Sequence, residues 1–381
     1  QAPPDVGPPA DMAPPGCFDH RPDNENFALD GDGEPGQIHL QAAFQPGRGL
    51  WVVYNRPHPG RSDFDVWLTR VGCTPADDVP PFQVDDDAAD PNAGDPSLAV
   101  HGDRVLVVWQ GEVPGREPNL WVRWRLIGAD GVPLGPTGRI DTGDPAQVHW
   151  MAAAEATADG FVVAGVRTGA VENRFTIFAQ RLDADGAPVG PVGEDARQTG
   201  GQVEPTVGVT PAGEVRVAWL DDGQQGPVAR AVLGDFGLTP LPGVAVGDQV
   251  QSKISYDRAG QWLATGVAPG DIALWPGAVM PDATPRWFGQ NGTSTSPGVA
   301  SGPGGGVVGW FRLDRGIRST PFWQAFDATG VPQDVPRQIP TAEPAAPYPM
   351  ALTHVGDGRY FIGWSQGASP AFLGMGRFVR P

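Results

Sequence analysis

Residues 95–144 read DPSLAVHGDRVLVVWQGEVPGREPNLWVRWRLIGADGVPLGPTGRIDTGD. The spacing predicts four short strands: Leu98 to Val100, Val105 to Trp109, Asn119 to Ile127, and a last one through Arg139-Ile140. A His101-Gly102-Asp103 turn, a polar loop and an Asp130-Gly131 turn separate them. Side chains of a strand alternate between two faces, and Gly, Pro and Asp supply the tight dihedrals of turns. Short alternating runs bounded by those residues are therefore the pattern of hairpin-linked strands.

Weaker copies recur along the chain. Each carries a strand ending near a bulky residue: LWVVY at Tyr54, VLVVW at Trp109, FVVAGV at Val166, VRVAW at Trp219, WLATG at Gly266, GVVGW at Trp310 and YFIGW at Trp364. The mean interval is about 52 residues, and seven such units fill residues 17–381 as one domain. The seams fall near 31–37, 88–95, 142–148, 200–204, 247–251, 291–296 and 341–347. Helical periodicity is absent and turn signals close nearly every element, so the fold class is all-β. A period of about 40–50 residues with four strands per unit marks a β-propeller blade.

On these repeats the chain resembles the diverged blades of seven-bladed β-propeller repeat proteins of secreted bacterial type. The Gly-His and Trp-Asp pairs of WD40 repeats are missing, as is the Ser-x-Asp-x-Gly-x-Thr-Trp box of sialidase-like propellers. Asp183-Ala184-Asp185-Gly186 keeps only an Asp/Gly turn. The expected architecture is seven four-stranded antiparallel blades. The last unit stops after its third strand, Phe372 to Val379, while NENFALD (24–30) looks like an outer strand. The N-terminal strand is thus expected to complete blade 7 and remove two exposed edges. Cys17 precedes that strand and Cys73 lies in a turn on the same face, which predicts a Cys17–Cys73 disulfide; two free thiols are the alternative.

The formal net charge is −18, and Lys253 is the only lysine. Such a surface repels nucleic acid and anionic membranes and favours cations or basic partners. No apolar run approaches the roughly 18 residues of a membrane span. Residues 1–16, QAPPDVGPPADMAPPG, form a Pro-rich flexible spacer. The spacer reads as one exposed by signal-peptide removal, the alternative being an arbitrary chain end. The expected location is secreted, extracellular or periplasmic, with tethering to the envelope.

Loops joining strands two and three, and loops joining successive blades, share one face around a propeller's channel. Blade-to-blade loops here are acidic, and the others carry Arg56, Arg61, Arg116, Arg174 and Arg315. Those arginines, with Tyr54 and Trp150 as stacking surfaces, are the ligand-binding candidates; a solvated polar face is the plainer reading. Calcium is the one cofactor candidate, at Asp85, Asp86, Asp87, Asp90 and Asp95, or at Asp30 and Asp32. The G-x-G-x-x-G match at Gly31, Gly33 and Gly36 is followed by strand-like alternation, which excludes a dinucleotide fingerprint. No catalytic motif is present, and His58 and His149 are the histidines expected near the loop face.

Three functions remain open. The leading one is a non-catalytic binding or scaffold propeller, secreted or surface-tethered, holding a protein or glycan on its loop face as a monomer or assembly subunit. The second is a glycoside hydrolase using two of Asp63, Asp65, Glu172, Asp221, Asp222 and Asp271. The third is a structural subunit of an extracellular assembly or filament.

Overall fold

The computed structural model describes residues 16–29, 36–58, 63–85, 93–112, 120–140, 148–168, 175–195, 201–221, 228–235, 237–244, 250–267, 271–277, 284–289, 293–314, 318–368 and 371–381. The first strand, β1 (Asn26–Ala28), stands apart from its neighbours in sequence. Blade 1 follows as β2 (Ile38–Gln45), β3 (Gly49–Pro57), β4 (Phe64–Gly72) and β5 (Val79–Gln83). Blade 2 is β6 (Gly94–His101), β7 (Arg104–Glu112), β8 (Leu120–Gly128) and β9 (Gly138–Arg139). Blade 3 is β10 (His149–Thr157), β11 (Gly160–Thr168), β12 (Phe175–Asp183) and β13 (Pro188–Glu194). Blade 4 is β14 (Gln202–Val209), β15 (Val215–Asp221), β16 (Val228–Gly234) and β17 (Gly237–Val244). Blade 5 is β18 (Val250–Tyr256), β19 (Trp262–Val267), β20 (Asp271–Pro276) and β21 (Arg286–Phe288). Blade 6 is β22 (Thr293–Gly302), β23 (Gly305–Asp314), β24 (Arg318–Asp327) and β25 (Pro332–Gln338). Blade 7 has β26 (Ala351–Gly356), β27 (Arg359–Gln366) and β28 (Leu373–Val379), and β1 supplies its outer strand.

These strands pair as seven antiparallel four-stranded sheets. The first strand of each blade touches the first strands of both neighbouring blades, including β26 with β2, so they ring a central channel. The protein is a seven-bladed β-propeller. In the quoted stretch the first two strands run longer than the alternation alone suggests, because ladder pairing continues into polar residues such as Arg104 and Glu112. One position shifts: register places Gly165, not Val166, opposite the site filled by Tyr54 and Trp109 in blades 1 and 2. A glycine carries no bulk to mark a strand end.

Ring closure follows the expected route. Asn26 pairs with Arg377 and Ala28 with Met375. Phe18 is fully buried beside Phe378, ring centroids 4.6 Å apart, and Phe27 stacks on Phe378 at 5.6 Å. The Cys17–Cys73 disulfide ties this segment to blade 1. Arg359 of blade 7 donates to Asp23 at 2.7 Å and to the Arg21 carbonyl at 2.8 Å. One core cluster thus joins the N-terminal segment, blade 1 and blade 7.

Polar side chains stitch the other seams. At equivalent positions of the third strands, the Gly374 N–H donates to Gln37 at 2.8 Å and the Ile177 N–H donates to Gln202 at 2.9 Å. Each glutamine heads the next blade in the ring. Blade 2 has Ala93 at that place, and Asp85 accepts the corresponding Val66 N–H at 2.8 Å instead. Leaving such a buried N–H unpaired would cost about 1–3 kcal/mol. Arginines add bonds to the neighbouring blade's carbonyls: Arg181 to Leu233 at 3.1 Å, Arg216 to Gly260 at 2.7 Å and Arg125 to Val84 at 2.8 Å. The planar guanidinium fork suits such multiple carbonyl contacts better than an ammonium does.

The disulfide closes a loop with a sequence separation of 56 residues. Chain entropy then predicts that the Cys17→Ser/Cys73→Ser variant unfolds about 4 kcal/mol more easily, read as a lowered urea midpoint that added reductant no longer changes.

Candidate functional site

The channel holds a cavity of about 170 Å³, lined by the first strand or its flanks in every blade. Its geometry begins with a repeated irregularity. Register slips between Ile38 and Gln41, Gly94 and Ser97, Trp150 and Ala153, Val203 and Thr206, and Thr295 and Gly298. At each slip two residues oppose one, a β-bulge, and the first of the two is left-handed. These residues are His39, Asp95, Met151, Glu204 and Ser296, with φ from 45° to 56°. An L-residue pays roughly 1–2 kcal/mol for that conformation, so its recurrence at one level shows that the ring imposes it. Pro96, Pro205 and Pro297 occupy the second bulge position, where a missing N–H breaks no ladder bond.

The bulges bring His39, Asp95, Met151 and Glu204 to the cavity lining. His39 Nδ1 lies 2.8 Å from Asp95 Oδ1, and the His39 ring sits against Tyr348 with centroids 4.5 Å apart. This level lies toward the side of the blade-to-blade loops, since each bulge immediately follows such a loop.

The opposite end is crossed by one side chain. Arg258, in the hairpin after β18, donates from Nε and Nη2 to the Ala42 carbonyl, at 3.1 and 2.6 Å. Nη2 also reaches the Leu98 carbonyl at 3.1 Å, and Nη1 reaches Glu155 Oε2 at 2.8 Å. A residue of blade 5 thereby holds blades 1, 2 and 3, and the cavity lining ends at its level. Glu155 is buried, and desolvation raises its pKa against the pull of Arg258. Neighbouring Asp257 holds the hairpin, accepting the Trp262 N–H at 2.8 Å and the Ser301 hydroxyl. Burial pushes its pKa up to about 6, although these hydrogen bonds oppose the shift.

The sequence candidates are distributed differently. Of the expected ligand-binding set, Tyr54 is fully buried in the core between blades, which removes it as a stacking surface. Trp150 is half-buried edge-on to Phe175, centroids 4.8 Å apart, and Arg56 lies over the Trp67 ring at 4.6 Å. Arg61, Arg116, Arg174 and Arg315 fall outside the described residues, as do Asp30, Asp32, Asp86, Asp87 and Asp90. Within the acidic tract, Asp85 serves the blade seam and Asp95 the channel, so these two have separate structural roles. Among the described residues no group of three metal-ligating side chains is assembled. His149 is fully buried between Trp121 and Phe178, a seam residue and not a loop-face one. His58 pairs with buried Asp65 at 3.0 Å. Of the carboxylates proposed for hydrolysis, Asp63, Asp65, Asp221 and Asp271 are described, and none lines the cavity. Glu172 and Asp222 lie outside the described residues.

Sequence reading missed His39, Glu155 and Arg258, and placed Glu204 only as one of the acidic residues of the blade-to-blade loops. For the bulged positions a faint signal existed: Asp95-Pro96, Glu204-Pro205 and Ser296-Pro297 repeat an x-Pro pair at the head of a blade. Arg258 carried none, because its partners are at least 100 residues away in sequence.

No family model matches this sequence, and no curated protein does. Solved structures do. Trypanosoma rangeli sialidase shares 11% identity at a TM-score of 0.54, over 93% of this chain and 58% of the sialidase. This chain thus spans little more than half of that protein's length. The Cps50 (Swd1) β-propeller domain of Myceliophteria thermophila shares 10% identity at a TM-score of 0.55, over 93% and 99% of the two chains. A protein of unknown function from Dyadobacter fermentans shares 10% at 0.53, over 94% and 98%. These likenesses concern the fold. No helix among the described residues is long and apolar enough to cross a membrane.

Two outcomes test the channel floor. Arg258→Met leaves buried Glu155 without its cation and should lower unfolding free energy by about 3–5 kcal/mol in denaturant titration, with Glu155→Gln in the same chain restoring part of it. Asp257 binds its proton more tightly folded than unfolded. Its contribution to stability should therefore fall as pH rises from about 4 to about 6, by up to about 3 kcal/mol, and stay flat above. Asp257→Asn should flatten that part of the pH–urea midpoint curve.

Proposed function

We propose that this chain is a non-catalytic binding module, secreted or tethered at the cell surface, that holds a protein partner on the loop side of its ring. The observation that supports it most is the blind channel, crossed at one end by Arg258 and displaying Asp95 and Glu204 toward the loops. Carboxylates at a narrow mouth, on a chain with net charge −18, favour a partner with basic surface through long-range attraction. The Cys17–Cys73 disulfide supports an oxidising compartment, and the Pro-rich segment at 1–16 suits a spacer.

A neutral glycan is the second reading, favoured by Gln41, Ser97 and Thr206 in the lining and by Tyr348 at its rim. One structural neighbour is described in complex with sialic acid. An anionic sugar would meet like charges at Asp95 and Glu204 here. The hydrolase reading is not carried forward, since no described carboxylate of that set lines the cavity.

Affinity capture from the native cell envelope, run beside a glycan array, tests the assignment. The expected result is a basic protein captured by the folded chain, released by salt, and reduced at least tenfold by the charge reversal Asp95→Lys. Silence of both assays with folded protein would overturn it.

A further inference from the structure

The N-terminal segment and the channel mouth face opposite sides of the ring. Cys17 is bonded to Cys73, which lies in the turn between β4 and β5. Among four antiparallel strands, the turn after the third lies at the same end as the turn after the first, and that is the end crossed by Arg258. Gly16, where residues 1–15 join, is therefore on the floor side, and the bulged mouth points the other way. A partner held at the mouth and an anchor reached through residues 1–15 pull on the ring from its two ends.

Without the disulfide, that pull falls on β1. This strand has three residues, lies at the outer edge of blade 7 and pairs only with β28. Two flanking bonds extend its hold, Asn24 N–H to the Phe378 carbonyl at 2.7 Å and Leu29 N–H to the Gly374 carbonyl at 3.0 Å, and Arg359 holds Asp23. A short terminal strand bonded on one side is where a sheet frays first. Cys17 stands between residues 1–15 and that strand, so the pull meets the disulfide before it meets β1. Cys73 directly follows β4, a nine-residue strand held by β3 on one side and β5 on the other. Backbone bonds fasten the same point: Phe18 N–H donates to the Cys73 carbonyl at 3.0 Å, and Cys73 N–H to the Arg48 carbonyl at 3.1 Å. The covalent route leads from an edge strand to an inner one.

We propose that the Cys17–Cys73 disulfide has a mechanical function, carrying tension that arrives along residues 1–15 into blade 1 and keeping the ring-closing strand unloaded. This differs from the stability a cross-link gives by restricting the unfolded chain, which has no direction. The inference rests on the surface-tether part of the binding-module reading, and it lets a closed ring hold a partner under pull.

Optical-tweezers unfolding of the full chain tests it, with one DNA handle at residue 1 and the other on an azide-bearing side chain at Ala342, exposed on the loop side. Cys17→Ser/Cys73→Ser, and the parent chain reduced in place, should each release residues 17–29 in an early step, at about half the parent's first rupture force or less. At about 3.5 Å per residue that step adds about 45 Å of contour, and the disulfide-bonded parent should lack it. Moving the first handle from residue 1 to Ala212, exposed in the β14–β15 hairpin, leaves residues 1–15 unloaded, and there both forms should rupture at the same force. An early 45 Å step in the bonded parent, or equal first rupture forces from residue 1, would overturn the proposal. So would an equal fall in force between Ala212 and Ala342, since the bond would then act through stability alone. Envelope capture is read separately: its loss removes the binding-module reading and leaves the force result intact, whereas a failed force result leaves capture standing.

Discussion

Ring closure is the constraint on which the rest of this structure depends. A blade buries both faces of its sheet only if a neighbour covers each, so an open row would expose two apolar sheet faces at its ends. Here the last blade is completed by the first strand. Asn26–Ala28 pairs with β28, Phe18 fills the space beside Phe378, and the Cys17–Cys73 bond fastens the segment to blade 1. The hydrogen bonds of Arg359 to Asp23 and to the Arg21 carbonyl add charge-assisted contacts at the same seam.

Once the ring is closed, its inner wall has little freedom. In blades 1, 2, 3, 4 and 6 a bulge at the head of the first strand interrupts its pairing with the second. These bulges put five non-glycine residues into the left-handed region, and four of them line the cavity. The candidate mouth is built on these bulges, and residue type differentiates its members. Histidine and aspartate on blades 1 and 2 pair, while glutamate on blade 4 adds a second carboxylate. The other end is governed by one guanidinium, which satisfies carbonyls of two first strands and the buried carboxylate of a third.

The arginine-rich, lysine-poor composition takes on a structural meaning in this setting. Arg125, Arg181 and Arg216 each reach a backbone carbonyl of an adjacent blade, and Arg258 reaches across the channel. Rigid planar donors fit carbonyls whose spacing is set by neighbouring sheets. Two arginines near the ends of second strands, Arg56 and Arg312, lie instead on the aromatic faces of Trp67 and Phe322.

Much of the architecture was legible in sequence because it is local and repeated. Alternation at period two, turn residues at short intervals and seven strand ends near Tyr54 through Trp364 carry the blade count, and a missing last strand beside NENFALD carries the closure. The disulfide followed from topology once both cysteines fell on one face. The site was not legible in the same way. Asp95 was visible as one acid among many, but its pairing with His39 of another blade depends on a bulge in each strand. Tyr54 and His149 read as loop-side residues and prove to be buried, because a residue at a strand end points along the seam or toward the loop according to register that no periodicity reveals. Arg258 meets Ala42, Leu98 and Glu155 only because seven strands converge on one axis. Sequence determined the repeat, and through it the ring. Tertiary structure alone decided which side chains share the channel, since those distances exist only after the last blade meets the first.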